Sequence, residues 1–156
     1  MQLSDHITPN TIKCKESASS KKRALEILSH FLAITQPDLQ ETEIFDKLLE
    51  RERLGSTGLG EGVAIPHCRM AKVRQAMIAL LTLEEGVDFD ARDSKPVDLL
   101  FALIVPEDCT ETHLKLLALA AEMFSDGDFC SHLRESDQSQ AAYELLLNWK
   151  SKSLSA

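Results

Sequence analysis

VDLLFALIV (Val97–Val105) is almost wholly apolar, and AMIALLTL (Ala76–Leu83) is a second run of the same kind. Apolar runs this short predict strands, the first of them buried on both faces and ended by Pro106. On either side the spacing turns helical. Ser19 and Ser20 precede Ala24, Leu25, Leu28, Phe31 and Leu32, which predicts an amphipathic helix with serine at its start and Pro37 beyond it. Ile44, Phe45, Leu48 and Leu49 give a second helix, with Gly55 just past its end. Val63, Ala64 and Ile65 read as a short strand. Pro66 pushes Ile65 toward extended backbone and cannot donate to a ladder, so His67 is expected at a strand end. Thr110 offers a cap for a helix through Leu114, Leu117, Ala121 and Phe124, apolar nearly all round and so expected to be largely buried. Leu133, then Ala141, Tyr143, Leu145, Leu146 and Trp149, fit two closing helices. Helices before, between and after short apolar strands predict an α/β domain with helices packed on a sheet.

At 156 residues the chain is expected to form a single domain over 1–156, with a soft tail from about Ser151. Acidic residues outnumber basic ones by 25 to 17, for a net charge of -8. That argues against nucleic acid held by bulk attraction, while leaving room for a small local anion site. No apolar run reaches membrane-spanning length, and the first residues lack a secretory signal. Cys14, Cys68, Cys109 and Cys130 are widely spread, which suits free thiols in a reducing cytosol.

RERLGSTGLGEGVAIPHCR (Arg51–Arg69) holds four of the six glycines, three arginines, Ser56, Thr57 and His67. Glycines let backbone N–H groups approach an anion, arginine presents a planar fork to phosphate oxygens, and hydroxyls add donors. Histidine is a nucleophile whose neutral form is well populated at pH 7. Together they predict a phosphoryl-transfer site that needs no cofactor, with Ser56, Thr57 and Gly58 as phosphate-binding candidates. The stretch fails both the P-loop and the G-x-S-x-G patterns. His113, near the start of the helix after Pro106, lies where free N–H groups and a partial positive charge favour an anion and a neutral imidazole.

The chain resembles the enzyme IIA proteins of the bacterial phosphoenolpyruvate-dependent phosphotransferase system, of the fructose/mannitol type, and most of all their nitrogen-related regulatory branch. The resemblance rests on Arg51 with LGSTGLGEGVAIPH (Leu54–His67), KPVDLLFALIVP (Lys95–Pro106), THLKLLALAA (Thr112–Ala121) and SKKRALEIL (Ser20–Leu28). It implies a mixed β-sheet with helices on both sides. It implies that His67 is phosphorylated on Nε2 by an HPr-type phosphocarrier protein, that Arg51 is a phosphate-site residue, and that His113 is the second active-site histidine. Cys68 departs from the glycine or alanine that many relatives place after the histidine.

Plainer readings stand beside these. Arg51 would also suit a helix C-terminus by opposing the dipole, and His113 would also simply fill a first turn. Arg53 and Arg69 read as solvated charges, and His6, His30 and His132 have no partner pattern. Cys109 and His113, with Cys68 beside His67, have spacings compatible with zinc only if all four converge; the reading is of no metal. Two functions fit the resemblance: a transport component that passes phosphate to a IIB domain, and a cytoplasmic switch acting on other cytoplasmic or membrane-transport proteins. The chain carries no fused IIB or IIC segment, which leans toward the switch. Leu59, Val63 and Met70 are the expected apolar contacts around His67.

Overall fold

The computed structural model describes residues 3–108 and 110–150. Cys109 and the tail from Ser151 lie outside the described residues. Among these, strands β1 (Ile12–Glu16), β2 (Gly58–Gly60), β3 (Val63–Ala64), β4 (His67–Met70), β5 (Met77–Val87) and β6 (Val97–Pro106) form one sheet. Helices α1 (Lys21–Thr35) and α2 (Glu41–Leu54) precede most of it, and α3 (Thr110–Phe124), α4 (Gly127–Glu135) and α5 (Ser139–Asn148) follow. Short 3-10 turns at Leu3–Asp5 and Pro9–Thr11 lead into β1.

The two apolar runs are the antiparallel centre of the sheet, from Met77 opposite Ile104 to Val87 opposite Val97. β1 adds in parallel to β5; β3 and β4 both add in parallel to β6; β2 returns antiparallel to β3. The sheet is therefore mixed. Its side chains alternate with period two. Ala79, Leu81, Leu100, Ala102 and Ile104 join a core with Leu25, Leu28, Ile44 and Leu48 of α1 and α2. Ile78, Leu80, Leu99, Phe101 and Leu103 join a second core with Leu116, Phe124, Leu133 and Leu146 of α3, α4 and α5. Helices cover both faces, as the resemblance implied.

Local signals explain most boundaries. Ser20 caps α1, its side chain accepting from the Arg23 amide. Gly55 ends α2 and Pro106 ends β6. The third helix differs from expectation in two ways. It begins at Thr110 itself, so His113 is its fourth residue, still in the first turn, and the Thr110 hydroxyl lies 3.5 Å from Arg69 Nη1. It is also not largely buried: Leu116, Ala120, Met123 and Phe124 face the core, while Leu114, Ala118 and Ala121 are exposed. Counting apolar residues overstated its burial: Leu114 borders the cleft described below, and Ala121 lines a different pocket. Among the described residues, no helix is long and apolar enough to cross a membrane.

Candidate functional site

Pro66 interrupts what would otherwise be one strand beside β6. β3 pairs with Leu99 and Leu100; β4 resumes with His67 opposite Leu103. At the break, the Ile65 amide turns away from β6 and donates to the Thr57 carbonyl at 3.0 Å, while the Pro66 carbonyl accepts from Leu103. His67 thus opens a strand next to a fixed kink. Its neighbour Cys68 points into the α1–α2 core, so by alternation His67 faces the α3 side.

His67 Nδ1 lies 2.8 Å from the Ile65 carbonyl oxygen. A carbonyl only accepts, so Nδ1 carries the proton and, in the neutral ring, Nε2 holds the free lone pair. Burial lowers the His67 pKa below its usual value and the Arg51 charge lowers it further, against the Ile65 bond and Glu52, which raise it. The neutral form of the ring is therefore favoured, with its free lone pair on Nε2.

His113 meets it from α3, with ring centroids 5.3 Å apart and planes at 87°. Its pKa is lowered by burial first, then by His67, Arg69 and Arg51. Its Nδ1 is buried without a hydrogen-bond partner among the described residues. Arg51, in the last turn of α2, donates from Nη1 to the Gly55 carbonyl at 2.7 Å and lines the same cleft. The cleft holds about 530 Å³, and its walls include Lys47, Arg69, Leu54 and Leu114. The C-terminus of one helix and the N-terminus of another thus bring Arg51, His67 and His113 together.

Ser56, Thr57 and Gly58 do not line that cleft. Ser56 Oγ donates to the Phe89 carbonyl at 2.7 Å and accepts from the Gly58 amide. Thr57 is buried, and both its amide and its hydroxyl donate to the Glu52 carboxylate. Gly58 packs so close to Ala91 that a Cβ would stand 2.9 Å from the alanine methyl. The expected apolar contacts also move. Val63 and Met70 are buried and Leu59 lies at another pocket, whereas Leu54, 82% exposed, and Leu114, 62% exposed, flank His67. Arg69 lines the cleft and Arg53 does not. Of the zinc reading, Cys109 lies outside the described residues; among the described residues no cluster of three or more metal-ligating side chains occurs.

Sequence reasoning missed Glu52. The available signal was electrostatic: a carboxylate in the last turn of a helix is repelled by the negative end of the macrodipole and implies a compensating partner elsewhere. That partner is Lys21, whose Nζ lies 2.9 Å from Glu52 Oε2.

Residues 5–149 match the family described as phosphoenolpyruvate-dependent sugar phosphotransferase system, EIIA 2. The chain belongs to that family. This enzyme IIA is 41% identical over 148 residues to a nitrogen regulatory protein of Pseudomonas aeruginosa, covering 95% of this chain and 96% of the relative. It is 41% identical over 147 residues to the nitrogen regulatory protein of Escherichia coli K12, covering 94% and 90%. The solved nitrogen regulatory protein IIA-Ntr of Neisseria meningitidis superposes with a TM-score of 0.86 at 38% identity, covering 92% of this chain and 98% of that one. Enzyme IIA is thus a phosphotransferase-system component, similar over nearly its whole length to nitrogen regulatory proteins, and the family fits a phosphocarrier role.

Proposed function

We propose that this enzyme IIA accepts a phosphoryl group on Nε2 of His67 from an HPr-type phosphocarrier in the cytoplasm, and that its phosphorylation state regulates other proteins. The observation that carries the reading is the His67 Nδ1 to Ile65 carbonyl bond, which leaves Nε2 as the unprotonated nitrogen beside an arginine and a second histidine. In the step, the Nε2 lone pair forms a bond to phosphorus as the donor's P–N bond breaks, and the donor imidazole keeps that electron pair. The His67 Nδ1 proton stays hydrogen-bonded to the Ile65 carbonyl, which offsets the positive charge the ring gains. Charge on the three phosphoryl oxygens is offset by Arg51 and by a hydrogen bond from His113. Such transfer is mainly positioning and electrostatic stabilisation. Because the donor is a phosphohistidine rather than a nucleotide, the residues assembled here suffice without a cofactor.

Leu54 and Leu114 supply apolar contact for the carrier, and Lys47 and Arg69 supply charge. The same face is the output surface: phosphorylation adds about two negative charges there, which repels acidic partners and weakens apolar docking. Likeness to nitrogen regulatory proteins favours the switch over transfer to a IIB domain.

The test is the chemistry of the label. Radiolabelled phosphoenolpyruvate with enzyme I and an HPr-type carrier should give a phosphoramidate, lost in acid and kept in alkali; an acid-stable label contradicts the reading. For the switch, partners captured by His67→Ala and by fully phosphorylated protein should differ. Equal affinity for the same partners favours a plain transport carrier.

A further inference from the structure

Behind the cleft, an ion pair between the buried Glu52 and the partly exposed Lys21 connects to His67 through a run of hydrogen bonds. Glu52 sits on α2 with its side chain 2% exposed and meets Lys21 Nζ at 2.9 Å. Lys21 also donates to the Phe89 carbonyl and lies over the Phe89 ring, 4.8 Å from its centroid. The Glu52 carboxylate accepts from the Thr57 amide with both oxygens, at 3.3 and 3.2 Å, and from the Thr57 hydroxyl. The Thr57 carbonyl accepts from the Ile65 amide at 3.0 Å, and the Ile65 carbonyl accepts from His67 Nδ1 at 2.8 Å.

Each link restricts the next. Pro66 confines Ile65 to extended backbone, and the bond from its amide to Thr57 fixes where its carbonyl points. That carbonyl sets both the orientation of the His67 ring and which nitrogen bears the proton. Thr57 is held in turn by a carboxylate that cannot leave, because a buried charge is costly away from its partner. A buried ion pair is weak evidence for stability in itself. Here it anchors Thr57, whose carbonyl holds the Ile65 amide at the kink before His67.

We propose that Glu52 is a positioning residue for phosphoryl acceptance: paired with Lys21, it holds Thr57, and through Thr57 and Ile65 it fixes the ring orientation and tautomer of His67. The proposal rests on His67 being the acceptor. Glu52 itself touches neither donor nor phosphate, and the Thr57 hydroxyl serves the anchor rather than the anion.

The experiment has two readouts on the full chain. The first is a ¹H–¹⁵N correlation spectrum of the imidazole nitrogens, and the second is the rate of phosphoryl acceptance at saturating carrier. Wild type should show His67 in one neutral tautomer with the proton on Nδ1. Thr57→Val removes the hydroxyl at nearly constant volume. Glu52→Gln leaves a single acceptor oxygen for two Thr57 donors. Both variants should show a mixture of His67 tautomers and accept phosphate more slowly, on the order of tenfold, since misplacing a reacting group is costly. Thr57→Ser should restore both properties. A wild-type tautomer and rate in folded Thr57→Val and Glu52→Gln overturns the proposal; if one variant does not fold, the other decides. Tautomer changes in the variants of a protein that accepts no phosphate would instead overturn the acceptor reading and leave the positioning chain standing.

Discussion

The imidazoles of His67 and His113 stand edge to face, 5.3 Å between centroids and 87° between planes, at the junction of a strand and a helix start. Neither ring can accept a proton without placing it near the other ring and near Arg51. The site thereby favours the neutral form of both histidines.

Both should titrate below the usual value of 6.5, and this is measurable by NMR. Below 6.5 the unfolded chain binds protons that the native chain refuses, so their contribution to stability is fully present above 6.5 and is lost as pH falls through the lowered native values. Phosphorylating His67 places a dianion beside His113 and should raise the His113 pKa. Titration of both rings at or above 6.5 in the unphosphorylated protein contradicts the electrostatic account.

Arg51→Lys keeps the charge and loses the fork. A point ammonium cannot both hold the Gly55 carbonyl and present paired donors to a phosphoryl group. Loss of one charge-assisted contact costs about 2 kcal/mol, roughly a 30-fold slower transfer. Rapid-quench rates check it, and an unchanged rate would leave Arg51 as a helix-end residue only.

Leu54 and Leu114 are exposed beside His67, so truncating them should leave folding intact and weaken carrier docking. The double substitution Leu54→Ala, Leu114→Ala should raise KM for the phosphorylated carrier by on the order of tenfold with kcat little changed. Steady-state transfer with a purified carrier measures both; a fall in kcat alone would place these leucines elsewhere in the account.

Gly62 has φ +81°, and a Cβ there would stand 2.6 Å from Arg134 Nη2. That guanidinium is held by Asp98 at 2.9 and 3.0 Å and by the Glu61 carbonyl at 2.9 Å. Gly62→Ala should therefore cost about 3 kcal/mol, from left-handed strain plus weakened charge-assisted bonds. Denaturant midpoints check it, and an unshifted midpoint would show that the hairpin between β2 and β3 relaxes freely.

What was readable in the chain follows from where each element sits. β5 and β6 stood out because burial on both faces makes their central runs apolar. β1 did not: it is an edge strand reading IKCKE with only Ile12 buried. β2 is three residues with two glycines, and β4 is an HCRM segment whose first side chain serves the cleft rather than the core. Leu114 also broke the burial pattern, since it is apolar and exposed at the cleft. At the candidate site, the resemblance singled out Arg51, His67 and His113, and the fold brings these three to one cleft. Thr57 was expected to bind phosphate, because a hydroxyl in a glycine-rich loop shows no direction in sequence; the fold turns it to Glu52.

Intact-mass measurement after incubation with phosphoenolpyruvate, enzyme I and an HPr-type carrier, with wild type and His67→Ala run side by side, decides whether His67 accepts phosphate. Wild type should gain one phosphoryl group and His67→Ala none. The same gain in His67→Ala, or no gain in wild type with an active carrier, would contradict the acceptor role of His67.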